Sequence, residues 1–146
     1  MSVLQHLQSL IGVPMAEYSR SPTGVWLNGT LLQVEPGCIK ATYTVRPEMA
    51  NPAGILHGGM ASTILDDIMG LTVYSLEREA FFATVNLNVD FLANVRVGEN
   101  VIATAEVIKS GRSVVFMQGT LHDAEGKLLV RSTSNLVAAA QYVAKP

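Results

Sequence analysis

One stretch of this chain reads as a long core helix, and the rest of the sequence has to cover it. From Gly58 to about Leu76 no proline interrupts, and Met60, Ile64, Leu65, Ile68 and Leu71 are apolar at helical spacing. So apolar a helix does not belong on a surface. Downstream, residues 82–92, 100–109, 113–122 and 127–138 are rich in β-formers, with turn signals at Val97-Gly98, Ser110-Gly111 and Ala124-Glu125-Gly126. Upstream, Glu35-Pro36-Gly37 separates residues 30–34 from 39–45, the pattern of a hairpin, and the β-like texture begins at Val25. Four strands after one apolar helix must bury one face, so the expectation is an α+β fold in which an antiparallel meander wraps one long central helix. Ser2 is placed to cap a short N-terminal helix carrying Val3, Leu4, Leu7, Leu10 and Ile11 and ending near Gly12 and Pro14, which reads as an amphipathic lid.

Composition narrows the class. At 146 residues one domain spanning 1–146 is expected, and 49% hydrophobic residues supply its core. Charged residues are only 15%, against roughly 25% in an average soluble domain, too few to cover a small monomer, so a homo-oligomer is expected. A net charge of -2 without a Lys/Arg run lacks the field that binds a phosphate backbone, which argues against nucleic acid. The uncharged run 132–144 holds Asn135 and Gln141 and falls short of the ~20 apolar residues of a membrane span. A lone Cys38 forms no internal disulfide and the first basic residue is Arg20, so a cytoplasmic protein is expected. His6, His57 and His122 lie far apart and Cys38 belongs to no ligand spacing, so no metal site is expected and Cys38 reads as a strand residue.

The chemistry concentrates in the run Asn51-Pro52-Ala53-Gly54-Ile55-Leu56-His57-Gly58-Gly59 and the helix it opens, which carries Asp66 and Asp67. Gly58 and Gly59 leave the first-turn N–H groups uncovered at the positive end of the helix dipole, where an oxyanion can sit. Neither a P-loop nor a G-x-G-x-x-G fingerprint is present. The plainer alternatives are that the glycines permit a tight turn and that His57 is an ordinary helix-entry residue. Asp66 lies away from the centre of the apolar stripe and Asp67 nearer its edge; periodicity does not choose between them.

The Asn-Pro-x-Gly-x-x-His-Gly-Gly run, with a carboxylate nine positions after the His, resembles the hotdog-fold acyl-CoA thioesterases of the phenylacetate-degradation (PaaI-like) type. The resemblance continues in Thr84-Val85-Asn86-Leu87-Asn88-Val89-Asp90-Phe91-Leu92, in Val97-Gly98-Glu99 and in Ser110-Gly111-Arg112-Ser113. It implies a hotdog fold and hydrolysis of acyl-CoA to a free acid and CoA without a cofactor. It further implies that Asp66 is the catalytic carboxylate, as nucleophile or as general base, and that the Gly58 N–H polarises the thioester carbonyl beside Gly59. His57 and Asn51 would position thioester and water, Thr84 would place water, and Gly111, Arg112 and Ser113 would contact the CoA nucleotide. The sequence departs from the family at Ala93-Asn94, where an Arg-Pro-like pair often stands, and in the second carboxylate, Asp67. The competing readings are a hotdog dehydratase or hydratase, whose Asp precedes its His whereas none lies just before His57, and a non-catalytic acyl-CoA-binding module.

One geometric expectation follows. Gly58 and Asp66 lie on one continuous helix, roughly 12 Å apart along its axis, too far to act on one carbonyl. Asn51, His57 and Gly58 of one subunit are therefore expected to work with Asp66 of a twofold partner, in a homodimer or a tetramer built as a dimer of dimers.

Overall fold

The computed structural model describes residues 1–139; residues 140–146, with the end of the uncharged run, lie outside the described residues. Three α-helices and six strands follow in the order α1 (Val3–Ser9), α2 (Pro22–Leu27), β1 (Thr30–Glu35), β2 (Cys38–Thr44), α3 (Gly58–Tyr74), β3 (Phe81–Phe91), β4 (Asn100–Ser110), β5 (Val114–Asp123) and β6 (Leu128–Ala139). All the strands belong to one antiparallel sheet of order β1-β2-β4-β5-β6-β3. The expected helix and strands are all present, with boundaries moved by a few residues at most.

The core is the seam between α3 and the sheet. Ala61, Ile64, Leu65, Ile68, Met69 and Val73 are buried from the helix side, and Ala103, Ala105, Val115, Met117 and Leu121 from the sheet. Gly119 lets the helix sit close: a Cβ there would lie 2.7 Å from the Met69 methyl and 3.1 Å from Leu65. Burying α3 along this length leaves its two ends, and Asp66 between them, fixed relative to the strands.

Three expectations are corrected. Residues 25–27 close a helix rather than begin a strand. Ser21 caps it by accepting the Gly24 N–H, Pro22 occupies its first turn, and Asn28 ends it in the left-handed region at φ 50°. The guanidinium of Arg46 then takes the Leu27 and Trp26 carbonyls. Second, the last four strands are not a simple meander, because β3 pairs with β6 while β4 returns to β2. The chain leaves α3 at the far edge of the sheet, and the connection after β3 carries it back across, tied by the Leu92 and Ala93 N–H groups to the Leu129 carbonyl and by Leu56 N–H to the Val95 carbonyl. Third, α1 is not a lid: it lies against β1, with Gln8 bonded to the Val34 carbonyl and Leu4 N–H to the Glu77 carboxylate.

That topology leaves β3 as an edge strand, with Val85 63% and Phe91 56% exposed. No helix among the described residues is long and apolar enough to cross a membrane. Replacing Gly119 with valine should wedge α3 away from β5, cost about 1–3 kcal/mol of stability and lower Tm in thermal unfolding. An unchanged Tm would mean that the helix sits loosely on the sheet.

Candidate active site

The loop before α3 is built by Asn51. Its side-chain Oδ1 accepts the N–H groups of Ala53 at 3.0 Å and Ile55 at 3.4 Å, and its own N–H donates to the Ile55 carbonyl at 2.9 Å. Gly54 supplies the left-handed residue of this turn at φ 76°. The His57 N–H donates to the Met49 carbonyl, fixing the entry to the helix. Its oxygen is committed to the loop, and its amide nitrogen has no acceptor among the described residues.

His57 caps α3: its Nδ1 accepts the Gly59 N–H at 2.9 Å. A ring nitrogen that accepts carries no proton, so in the neutral ring the proton resides on Nε2, and that N–H is the group His57 can offer outward. Gly59 suits this arrangement, because a Cβ there would stand 3.0 Å from Nδ1 and the ring would have to shift by a few tenths of an ångström. The Gly58 N–H finds no acceptor among the described residues. A Cβ on Gly58 would come within 3.2 Å of the Phe91 ring, so the first turn of α3 and the end of β3 close on each other there. One turn thus shows the plain capping role of His57 and a Gly58 N–H without an acceptor among the described residues.

The two adjacent carboxylates are separated by their surroundings. Asp66 faces β3, where the Thr84 hydroxyl donates to its Oδ1 at 2.7 Å. Thr84 stands at a register shift in the β3–β6 ladder, between Thr84 and Asn86, which re-aims this part of the strand. Asp67 turns beneath α2, where the Ser21 hydroxyl donates to its Oδ1 at 3.0 Å. Burial first, and then the Asp66 charge, pushes the Asp67 carboxyl above the usual carboxylate range, against the lowering effect of the Ser21 bond. Burial and the Asp67 charge in turn push the Tyr18 phenol up to about 12. The structure thus gives each carboxylate a different partner, a distinction that periodicity had left open.

Two cavities result. One of about 370 Å³ is lined by Asp66, Asp67, Thr84, Leu87, Ser62, Thr63 and Thr23. The other, of about 180 Å³, is lined among others by Asn51, Gly58, Phe91 and Asn94. Asn51 and Gly58 are thus brought together, as are Asp66 and Thr84, but no lining residue is shared between the cavities. The Gly111-Arg112-Ser113 turn joins β4 to β5 and lines neither. Sequence reasoning missed Thr23, whose signal was the Ser21-Pro22 helix start, and Ser62 and Thr63, whose hydroxyls donate to the Gly58 and Gly59 carbonyls one turn back. Cys38 lies at the start of β2, its thiol raised by burial and by Glu106 and Glu35, the setting of a structural cysteine.

Residues 53–130 match the family model of the thioesterase superfamily. The chain belongs to this superfamily. Human acyl-coenzyme A thioesterase 13 is 32% identical over 103 residues, covering 70% of this chain and 74% of its own length. The fold of zebra fish thioesterase superfamily member 2 superposes with a TM-score of 0.81 at 24% identity, over 95% of this chain and 100% of that one. The PaaI protein of the E. coli phenylacetic acid degradation operon superposes with a TM-score of 0.78 at 19% identity, over 86% and 89%. The resemblance read from the His-Gly-Gly run is thus borne out at the level of family and fold. The span that matches the thioesterase superfamily contains His57, Gly58, Asp66, Thr84 and the Gly111-Arg112-Ser113 turn, and begins just after Asn51.

The raised Asp67 carboxyl has a consequence for stability. Its folded pKa lies above its unfolded one, so ionising it costs folding energy, and stability falls as pH rises through the folded value. Asparagine keeps an acceptor for Ser21 without the charge. Asp67→Asn should therefore gain Tm relative to the parent as pH rises past the carboxylate range, by the equivalent of about 1 kcal/mol or less given partial solvent access. A variant that instead lost stability at neutral pH would show that the charge itself holds α2.

Proposed function

We propose that this protein hydrolyses acyl-CoA thioesters to a free carboxylic acid and CoA, without a cofactor, in the cytoplasm. The observation that carries the reading is the Asp66–Thr84 pair in its own cavity, set apart from an open helix N-terminus at Gly58. The 32% identity to a curated acyl-CoA thioesterase supports the substrate class.

In this reading the thioester carbonyl accepts the Gly58 N–H, and its oxygen gains negative charge at the positive end of α3 as the tetrahedral intermediate forms. The Asp66 carboxylate either takes a proton from the attacking water or attacks the carbonyl carbon itself to give an anhydride that water then opens. In both routes the C–S bond breaks, the sulfur leaves as thiolate and is protonated, and the acid departs. Thr84 holds Oδ1, which leaves Oδ2 for the reacting group, while the Asn51 amide and the His57 Nε2–H orient substrate or water. One oxyanion donor contributes on the order of 10²–10³ in rate and a placed base on the order of 10²–10⁴.

The site is completed between subunits. Pairing the exposed β3 edges of two chains antiparallel about a twofold axis near Leu87 or Asn88 sets Thr84 of one beside residues 90–92 of the other. Since Phe91 closes on Gly58 in its own chain, this juxtaposition brings Asp66 to the partner subunit's Gly58. The same pairing covers Val85 and Phe91, and a tetramer would stack two such dimers.

Release of free CoA, followed with a thiol-trapping dye over an acyl-CoA panel, tests the reading. Asp66→Asn should lower kcat/KM by roughly 10²–10⁴, Thr84→Val by less, and Asp67→Asn least of all, each with the fold intact. Loss in Asp67→Asn with activity kept in Asp66→Asn would reverse the assignment of the carboxylates. No CoA release from any member of the panel would leave the non-catalytic binding module.

A further inference from the structure

We propose that Arg78 is a positioning residue for phosphate recognition by the β4–β5 turn, holding the turn by its carbonyls so that its N–H groups and the Arg112 side chain face a phosphate of the substrate's nucleotide. The inference rests on the acyl-CoA reading above.

Arg78 follows the exit of α3, after Glu77 at φ 56°. Its guanidinium reaches more than thirty residues ahead. Nη1 donates to the Ser110 hydroxyl at 2.9 Å and to the Gly111 carbonyl at 3.2 Å, while Nη2 donates to the Gly111 carbonyl at 3.2 Å and the Arg112 carbonyl at 3.0 Å. The Phe82 ring backs it at 5.1 Å. Every one of these acceptors is neutral, so no ion pair within this set cancels the charge. Gly111 admits the turn, since a Cβ there would lie 2.8 Å from the Val114 carbonyl oxygen.

Planar trans peptides turn this grip into an orientation. In such a unit the C=O of one residue and the N–H of the next point in opposite directions. Drawing the Gly111 and Arg112 carbonyls onto Arg78 therefore turns the N–H groups of Arg112 and Ser113 away from it. Neither N–H finds an acceptor among the described residues, and the Arg112 guanidinium has no hydrogen-bond or ion-pair partner there. Two successive N–H groups without an acceptor and, on the same turn, a guanidinium without a partner among the described residues are the donors that a phosphate takes. Sequence spacing placed Arg112 in this turn but gave no hint that Arg78 organises it.

Kinetics on two substrates test this: an acyl-CoA and the matching acyl-pantetheine, which carries the same thioester without phosphates. Arg78→Ala should raise KM for the acyl-CoA roughly tenfold or more, the scale of one lost charge-assisted contact, with kcat nearly unchanged and the pantetheine substrate unaffected. Arg78→Lys, which keeps the charge but not the fan of donors, should show the same selective rise in smaller measure and carries the test if the alanine variant does not fold. No rise in KM, or an equal loss on both substrates, would overturn the proposal. Arg112→Ala, run in parallel, reports on the nucleotide site itself. A selective rise there with none in the Arg78 variants would sink the role of Arg78 and leave the acyl-CoA reading standing.

Discussion

A thioester carbonyl can be worked on only by groups within about 3 Å of it, and a straight α-helix spreads residues by 1.5 Å each. These two lengths govern the molecule. Gly58 offers its N–H at the start of α3, Asp66 offers its carboxylate two turns on, and burial of Ala61, Ile64, Leu65, Ile68 and Met69 against the sheet keeps the helix from bending to join them. The two halves accordingly open into different cavities. In the proposed reading each subunit therefore holds two half-sites, and β3 runs past both cavities, with Thr84 and Leu87 at the Asp66 end and Phe91 at the Gly58 end. The strand at the open edge of the sheet is thus the natural seam along which the halves would be joined.

The surroundings of the half-sites are built with the same economy. Asp66 and Asp67 are neighbours in sequence, yet one is held by a strand hydroxyl and the other by the cap of α2. Ser21 serves two ends at once, accepting the Gly24 N–H to start α2 and donating to Asp67 to dock that helix beside the cavity. At the exit of α3, Glu77 receives the Leu4 N–H of α1 while Arg78 grips the β4–β5 turn. The central helix therefore anchors the N-terminal segment and a distant turn as well as the candidate chemistry.

What could be read in the sequence follows from how local each signal was. The α3 periodicity, the Pro-Gly and Gly turn signals and the β-rich runs are short-range patterns, and they located every strand. The pairing of β3 with β6 was not legible, because it depends on where α3 ends relative to the sheet edge. Residues 25–27 misled because Val25 has β-propensity, while the Ser21-Pro22 start and the Asn28 stop outweighed it. The His-Gly-Gly run and the carboxylate nine residues on were visible, and so was the family they resemble. Both aspartates line one cavity, and what tells them apart is the partner each takes, Thr84 from a strand and Ser21 at the start of a helix, each reached only through the tertiary fold.

The central claim is that one active centre takes Gly58 and His57 from one chain and Asp66 from the other. Mixing inactive Asp66→Ala subunits with inactive His57→Ala or Asn51→Ala subunits in equal amounts, with subunit exchange verified, measures it directly. Random pairing makes about half the dimers mixed, and each mixed dimer regains one intact site of two, so about a quarter of wild-type activity should return. Mixed dimers that form and stay inactive, from parents that are each inactive alone, would contradict the shared site.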